Sequence, residues 1–570
     1  VRLRKFDIWS LIANVETDPV EFVVSFTRSE RTIRFCSRSS AILLEDDDGN
    51  EVVVNAGLLT DLSGQISVSL DPRRGGNPLP TMPSLAFARE AVADLLGGGT
   101  IPFHMGTFEI ELSLASTFIS WDDRVVILAG ARADPSSIIH GVDGDIQFEL
   151  LDTLSIGIVQ IPQQAIDTSK LPAAWNQTFI LDATNGVPYP TAMGAIHRAP
   201  PIRVYDDGGD AAADDKQPVR RYILAGHELT GTNATLHRTN ITVRQLQSGI
   251  PDMSNLSKPI QLGETTDGKK FSWVQTDSGE EDPTATDPLT GKNHPVEVYA
   301  ISYEATDGIN ATLGGVIRRI LQNWSDIEID GEVEASLSDV IDAFGSLLVS
   351  FLIDGEGFDR ATVAELLDQR IRGQFPVAVA RFGGRLLVVP TLNLMNPPGP
   401  GYQEPVVRLR LGSECFLQDV IKETGDIWNQ FEVRYKRRGD DGLWDAAPLL
   451  ASPDNDFECS RSAAVYGLRI AQTMGLEDVA DAGTAGVVLD HQRNLFLEPW
   501  YEARIICNLG MTPMLPGQKV RLWHVEEPRI AESCPRHRWT LRYDESEQWR
   551  DAIVVSVDYS REAVVLGVIF

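Results

Sequence analysis

Phe108-Glu109-Ile110-Glu111-Leu112-Ser113-Leu114 is the stretch whose pattern decides the fold. Apolar and polar residues alternate, which places Phe108, Ile110, Leu112 and Leu114 on one face and Glu109, Glu111 and Ser113 on the other. A period of two belongs to a strand with one dry and one wet side. The alternation recurs in Thr32 to Cys36, in Gln65 to Leu70, where Ile66, Val68 and Leu70 share a face, and in Ile146 to Leu150. Ala41 to Leu44 and Glu51 to Val54 flank Asp48-Gly49-Asn50, a hairpin turn in which glycine supplies the positive φ. One helix is predicted among these strands, Leu85 to Leu96, with Phe87, Ala91 and Leu95 at helical spacing and Gly97-Gly98-Gly99 as its stop. Many short strands with frequent turns point to an antiparallel barrel or sandwich over residues 1–160.

Working outward, residues 161–295 loosen. Asp206-Asp207-Gly208-Gly209-Asp210 running to Asp215, and Thr276 to Pro295, are acidic, turn-rich and poor in apolar residues, and they read as surface loops. Arg221 to Ala225 and Asn240 to Arg244 read as short strands between them, so this part is taken as a β-rich and loop-rich insert. Residues 296–404 read as a small α+β domain. Val298 to Tyr303 is a strand, Leu313 to Trp324 an amphipathic helix, and Ser336-Leu337-Ser338-Asp339 opens another helical stretch. Thr362 to Ile371 is a third, Phe382 to Pro390 a hairpin arm, and Asn396-Pro397-Pro398-Gly399-Pro400-Gly401 a stiff linker. Strands return over residues 405–570, in Val407 to Leu411, Phe431 to Tyr435, Ala503 to Leu509, Lys519 to Trp523, Ala552 to Asp558 and Ala563 to Phe570. A helical excursion at 459–494 is predicted as Ser462 to Met474 and Glu477 to Arg493. The expected fold is therefore mainly β with an α+β middle domain: two antiparallel β-barrels separated by an insert and a mixed domain.

Composition narrows the function. The chain has 570 residues, and 81 Asp+Glu against 50 Lys+Arg give a net charge of -31. Such a surplus argues against a sequence-independent grip on nucleic acid, which needs a positive face for phosphates. The longest apolar runs, Leu347 to Ile353 and Ala563 to Phe570, fall far short of the ~20 residues of a membrane-spanning helix. Val1-Arg2-Leu3-Arg4-Lys5-Phe6 is a basic start with no apolar run behind it, so no secretory signal is expected. Val1 itself fits a GTG start codon, hence a bacterial or phage gene, or a trimmed chain. Five scattered cysteines, an odd number, read as thiols kept reduced in a cytosol.

Catalytic patterns are missing. Gly97-Gly98-Gly99 lacks the Lys-Ser/Thr of a phosphate loop, His227-Glu228 has Gly231 where a zinc protease needs its second histidine, and no G-x-S-x-G elbow occurs. Glu45-Asp46-Asp47-Asp48-Gly49 hints at a calcium loop, but Leu44 and Asn55 occupy the first and twelfth ligand positions, so a charged hairpin tip is the better reading. Cys534-Pro535-Arg536-His537 has no second pair to complete a zinc site. Cys415, Cys459, Cys507 and Cys534 offer the thiolates of an iron-sulfur cluster but no C-x-x-C pair, which favours buried thiols. Trp121, Trp175, Trp273, Trp324 and Trp444 are scattered as core or interface anchors are, rather than grouped for sugar stacking. No catalytic, cofactor-binding or metal-ligating set is assigned, and no cofactor is expected.

Asp426-Ile427-Trp428-Asn429-Gln430-Phe431-Glu432-Val433-Arg434-Tyr435 resembles the strand that opens the second barrel of tail hub proteins in tailed bacteriophages. Ser460-Arg461-Ser462-Ala463-Ala464-Val465-Tyr466-Gly467-Leu468-Arg469 resembles the helix start that follows it. Leu515-Pro516-Gly517-Gln518-Lys519-Val520-Arg521-Leu522 resembles the later Pro-Gly entry into a strand. Ser336 to Ile341 and Gly383-Gly384-Arg385-Leu386 resemble the middle domain. The resemblance covers about residues 296–570, with 1–160 similar in architecture only. It implies two β-barrels per chain in a homotrimer whose six barrels adapt a sixfold tail tube to a threefold baseplate or tail tip. It also implies contacts with the distal tail protein or tube, the tape-measure protein and other baseplate or fibre proteins, and a gate for DNA passage. The implied role is structural and non-enzymatic, in a virion part made in the host cytoplasm. The long acidic insert at 161–295 departs from compact hubs. Two other classes compete: a virion hydrolase acting on cell wall or polysaccharide through carboxylates, and a receptor-binding tail protein using the insert.

Overall fold

The computed structural model describes residues 20–28, 31–38, 40–59, 66–69, 84–92, 108–117, 119–141, 145–151, 160–161, 164–207, 218–238, 255–277, 280, 297–305, 311–324, 338, 348–353, 361–382, 385–390, 407–412, 415–418, 422–424, 426–507, 516–524, 543–544, 548–559 and 564–570. The predicted strand at 240–244, the helix opened by Ser336, the linker at 396–401 and most of the two acidic loops lie outside these residues. The molecule is mainly β, as the alternation implies.

The N-terminal sheet has nine strands. In spatial order they are Ile42–Glu45, Glu51–Ala56, Arg31–Cys36, Val20–Arg28, Glu109–Ser116, Val125–Ala133, Asp145–Leu151 and Ser84–Ala88, with Ile139–His140 attached to Asp145–Leu151. Phe108, Ile110, Leu112 and Leu114 are buried in the main core and Glu109 is exposed. Ser113, expected on the wet face, is instead wholly buried, because that end of the face is covered by the cluster of Val23, Ala115 and Trp121. Phe26, Phe35, Phe87 and Phe148 meet in that core, with the Phe87 and Phe148 rings stacked 5.8 Å apart. Each such ring contributes roughly 1.5–3 kcal/mol by leaving water.

The predicted helix at Leu85 to Leu96 is corrected here. Residues Ser84–Ala88 form a strand paired antiparallel with Asp145–Leu151, and a turn follows to Val92. Leu85 and Phe87 both point into the core, a period of two that outweighs the accidental helical spacing of Phe87 and Ala91. Beyond the named strands, Leu58 bridges Phe87, and Ala88 N–H donates to the Gly57 carbonyl at 2.9 Å. The strand at one end of the path is thus tied back to the chain just past Glu51–Ala56.

The C-terminal sheet also has nine strands. Its path runs Val407–Arg410, Lys519–Trp523, Trp549–Tyr559, Val564–Ile569, Trp500–Cys507 and Cys415–Leu417, with Lys422–Thr424, Tyr543–Asp544 and Ile66–Ser69 attached. The last attachment corrects the expectation that Gln65 to Leu70 is a strand of the first barrel. Ile66–Ser69, a strand of the N-terminal third, pairs antiparallel with Ser556 to Tyr559. The two large sheets also share one core, in which Phe26 and Phe148 belong to the same buried cluster as Leu522, Val557, Val568 and Phe570. Two closed, wholly antiparallel barrels are not shown: the pairings draw one half-barrel, and Val407–Arg410 runs parallel to Lys519–Trp523.

Between the large sheets, strands of the insert pair with strands of the middle region. Thr191–Ala199, Asn233–Arg238 and Leu256–Pro259 join Val298–Glu304 and Ser350–Ile353 in one five-stranded sheet, and a four-stranded sheet lies beside it. Helix α1 (Leu313–Trp324) buries Val316, Ile317, Ile320 and Leu321, and α2 (Val363–Leu366) runs on into a π-helical stretch to Arg372. Phe431–Tyr435, expected to open the second barrel, is corrected here: it stands outside the C-terminal sheet and pairs with Leu449–Ala451 and Met474–Leu476 in a separate three-stranded sheet. Its Phe431 and Val433 join the middle-region core. The excursion is therefore wider than 459–494 and comprises this sheet with α3 (Phe457–Tyr466) and α4 (Ala482–Phe496). The predicted helix at 462–474 is shorter and earlier than expected, because Gly467 adopts φ 77° and ends it, and Met474–Leu476 becomes a strand. The helix predicted at 477–493 begins at Ala482 instead, where Asp481 caps it by accepting from Thr484 N–H at 2.9 Å.

Candidate functional site

Two of the sequence stretches that resemble tail hubs meet in the excursion. Asn429 is wholly buried between them. Its Nδ2 donates to the Gly467 carbonyl at 2.8 Å, and its Oδ1 accepts from Arg469 N–H at 2.8 Å. Ser462 Oγ donates to the Leu497 carbonyl at 2.7 Å, which ties α3 to the end of α4. One amide thus fixes the loop after α3, and that loop carries Leu468 and Ile470, which are 62% and 58% exposed. A buried asparagine holding an exposed apolar loop is a device for presenting a surface.

A buried ionic joint fastens the excursion to the middle region. Asp478 is fully buried, and Arg370 Nε donates to its Oδ2 at 2.7 Å while Nη2 reaches Oδ1. Gln374 Nε2 donates to the same carboxylate at 2.7 Å, and Asp478 N–H returns a bond to Gln374 Oε1 at 2.9 Å. The Asp478 carbonyl accepts from Ser350 N–H at 2.7 Å. With every group of the carboxylate bonded, desolvation of the pair is offset, and removing one partner would strand a buried charge.

A second joint fastens the excursion to the five-stranded sheet and is partly wet. Arg198, held at φ 53°, donates through Nη2 to Tyr299 Oη at 2.9 Å and to Asp440 at 3.2 Å. His197 Nε2 lies 2.6 Å from Asp445 Oδ2, and Arg438 binds the same carboxylate. Burial holds the His197 pKa below its ordinary value although Asp445 opposes this, so the ring is neutral near pH 7 and donates Nε2–H. Burial pushes the Asp445 carboxyl up, but the bonds from His197 and Arg438 outweigh that and leave its pKa lowered.

The hairpin read from Asp48-Gly49-Asn50 forms as expected, with Gly49 at φ 80°. Its inward residues Ile42, Leu44, Val52 and Val54 pack with Val23, Cys36, Ala115 and Trp121. Its outward residues are Leu43 opposite Val53, 61% and 47% exposed, and Glu45 opposite Glu51. Asp46 accepts from Asp48 N–H at 3.0 Å and Asn50 N–H at 2.7 Å, so the carboxylate is a turn element rather than a calcium ligand. Hydrogen bonds from the Asn50 side chain and backbone lower its pKa.

The sequence candidates for chemistry stay apart. Cys415 and Cys507 are cross-strand neighbours in the main core, Cys459 lies in the core of the middle region and Cys36 under the hairpin, all buried. Burial and the nearby Asp456 push the Cys459 thiol up to about 12, which suits packing rather than metal ligation. Cys534 and His537 lie outside the described residues. His227 is spent on the backbone: its Nε2 accepts from Ala192 N–H at 3.2 Å. Trp175 and Trp273 pack with Tyr205 and Phe271 around the Arg221 guanidinium, a core of the insert rather than a sugar platform. Among the described residues no group of three or more His, Cys, Asp or Glu is placed to hold a metal ion, and no helix is long and apolar enough to cross a membrane.

No family model matches the sequence and no curated protein matches it. Similar solved structures include three virion or tail proteins. The prophage tail protein gp18 from Listeria monocytogenes EGD-e is 10% identical with a TM-score of 0.24, over 66% of this chain and 87% of that one. A chain of the gene transfer agent virion is 12% identical with a TM-score of 0.36, over 73% of this chain and 91% of that one. A chain of the p2 virion baseplate in its activated conformation is 8% identical with a TM-score of 0.14, over 71% and 96%. At these scores the likeness assigns no family.

Proposed function

We propose that the chain is a structural hub of a phage-type tail, placed at the baseplate or tail tip, and that it has no enzymatic activity. The observation that carries this is the pairing of the two ends: each builds a nine-stranded sheet, the sheets share a core, and Asn429 joins the two hub-like stretches of the excursion. By name, the three similar structures belong to the same class of assemblies. In this proposal the units are 1–160, 161–295, 296–404 and 405–570, the second and third joined through the five-stranded sheet, and the two large sheets correspond to the hub barrels. Three copies make the ring that adapts a sixfold tube to a threefold tip. The distal tail protein or tail tube, the tape-measure protein and other baseplate or fibre proteins are its partners.

The charge of -31 fits a channel that DNA crosses without sticking, since phosphates bind where counterions are displaced by Lys and Arg. Arg408, Arg410, Arg434, Arg437 and Arg438 then face protein. Arg434, Arg437 and Arg438 already bond Glu432, Glu477 and Asp441 within the chain.

A mass measurement on the purified protein and on isolated tails tests the proposal. Three copies per tail and no clearing in cell-wall or capsule zymograms are expected. A monomer or dimer in tails would overturn the hub, and hydrolysis abolished by a single Asp or Glu change would bring the enzyme class forward.

A further inference from the structure

Cys415–Leu417 lies antiparallel to Trp500–Cys507, with Cys415 directly opposite Cys507. Directly opposed residues share a face of the sheet, and both side chains are buried in the main core. The backbone bonds show which kind of pair they make. Gln418 N–H donates to the Arg504 carbonyl at 2.9 Å, in the same register as Cys415 with Cys507. Bonded and non-bonded pairs alternate in an antiparallel ladder, so Phe416 with Ile506 is a hydrogen-bonded pair and Cys415 with Cys507 is not. The other side of Trp500–Cys507 agrees. Tyr501 and Phe570 exchange both backbone bonds at 3.0 Å, and the same alternation turns the backbone groups of Cys507 toward Val564 and away from Cys415.

A non-hydrogen-bonded pair brings its Cα atoms to about 4.5 Å, inside the span of about 4.4–6.8 Å that a disulfide bridges. Among the described residues no other two cysteines are strand partners: Cys36 stands opposite Val23 and Ala56, and Cys459 lies on α3.

The pair also brackets the excursion. Cys415 precedes it and Cys507 follows it, so a bond between them clips the excursion at its base and closes a loop of roughly 90 residues. Cys415–Leu417 is a three-residue strand that ends the described path of its sheet. A short end strand opens locally at low cost, and that opening bares the Cys415 thiol.

We propose that Cys415 and Cys507 are a modification site, a cross-strand disulfide made by exchange with a low-molecular-weight disulfide. The Cys415 thiolate attacks one sulfur of that reagent, breaks its S–S bond and releases one thiolate. The Cys507 thiolate then attacks Sγ of Cys415, releases the second thiolate and leaves the Cys415–Cys507 bond. The two cysteines lose two protons and two electrons, and the reagent takes up both to become two thiols. In a reducing cytosol the pair stays as thiols, and outside the cell it is oxidised. That setting rests on the proposed tail function, whereas the pairing rests on the strand register.

The test uses the full chain, which has five cysteines. Purified under reducing conditions, it is treated with oxidised glutathione, denatured, alkylated and mapped by mass spectrometry. Two of the five thiols are expected to be lost to one linked peptide pair, Cys415 with Cys507, which dithiothreitol separates. A chain cut by protease inside the excursion should keep both halves joined until reductant is added. Cys415→Ala and Cys507→Ala should each give no linked pair. Five alkylated thiols, a glutathione retained on either residue, or a linkage to another cysteine overturns the proposal, and the unmutated chain decides this even if neither variant folds. The same linkage is expected in isolated tails. Tails that hold three copies with both thiols reduced overturn the modification and leave the hub reading standing. A linked pair in tails of any other copy number supports the modification and overturns the hub reading alone.

Discussion

The two joints that fasten the excursion use the same ingredients, an arginine and an aspartate, in opposite surroundings. Arg370 and Asp478 sit in a dry seam, flanked by Phe351 and completed by Gln374, with the arginine 10% and the aspartate 1% exposed at their side chains. Asp445 meets His197 and Arg438 at a margin where the side chains are about one-fifth exposed. Water screens the Asp445 cluster and not the Arg370–Asp478 seam, while Arg198–Asp440 in the same second joint is 11% and 8% exposed. The seam is therefore strong only while complete, and the Asp445 cluster alone is weak but tolerant. The seam ties the excursion to the middle region, and the second joint ties it to the five-stranded sheet.

The largest effect is expected at the dry seam. Asp478→Ala strands the Arg370 guanidinium and should cost about 3–5 kcal/mol in a denaturant titration, enough to unfold the excursion locally. If the loss is under about 1 kcal/mol, the contrast between the joints fails.

Acid sharpens the same contrast. His491 on α4 is fully buried, and desolvation lowers its pKa to about 3. Because the folded value lies below the unfolded one, the unfolded chain takes the proton first. The contribution is complete above about pH 6.5 and is lost as pH falls toward the folded value, at about 1.4 kcal/mol per unit. Denaturant titrations between about pH 6.5 and 5 should show a slope at least this steep, since burial also lowers His197, His227, His237 and His524. His491→Leu should reduce it by about 1.4 kcal/mol per unit.

Asn429→Ala removes both bonds to the loop after α3 and should cost about 1–3 kcal/mol while leaving the two joints intact. Faster hydrogen exchange confined to residues 467–471 is the expected signature, and exchange spreading to the Asp478 seam would mean that loop and joint are one unit.

The smallest effect belongs to the wet joint. His197→Ala should cost less than about 1 kcal/mol in a denaturant titration, because the bond it removes is a neutral donor to a carboxylate that Arg438 still holds. A cost equal to that of Asp478→Ala would erase the distinction drawn here.

Much of this was legible in the chain. The alternation around Ile110 to Leu114 gave strands that the structure contains, and Leu313 to Trp324 gave its helix, because one side of each element must be dry. Leu85 to Ala88 misled because a short apolar run satisfies both periods, and only the neighbouring strand Asp145–Leu151 decides between them. Of the candidate surfaces, the charged hairpin tip was visible, and the loop carrying Leu468 and Ile470 was not, because both fall within the helix expected at 462–474 until Gly467 is seen to end it.

By itself the sequence determined local matters: which segments alternate, where glycine turns the chain, and that the charge is strongly negative. Those depend on steric and solvation preferences that act within a few residues. Partnership was decided only by tertiary structure. Nothing local in Ile66–Ser69 says that it pairs with Ser556 to Tyr559 rather than with its own neighbours, and nothing in Asp478 announces Arg370 or Gln374. A strand edge accepts any strand and a carboxylate any cation, so the choice falls to the packing that brings distant segments into one dry space.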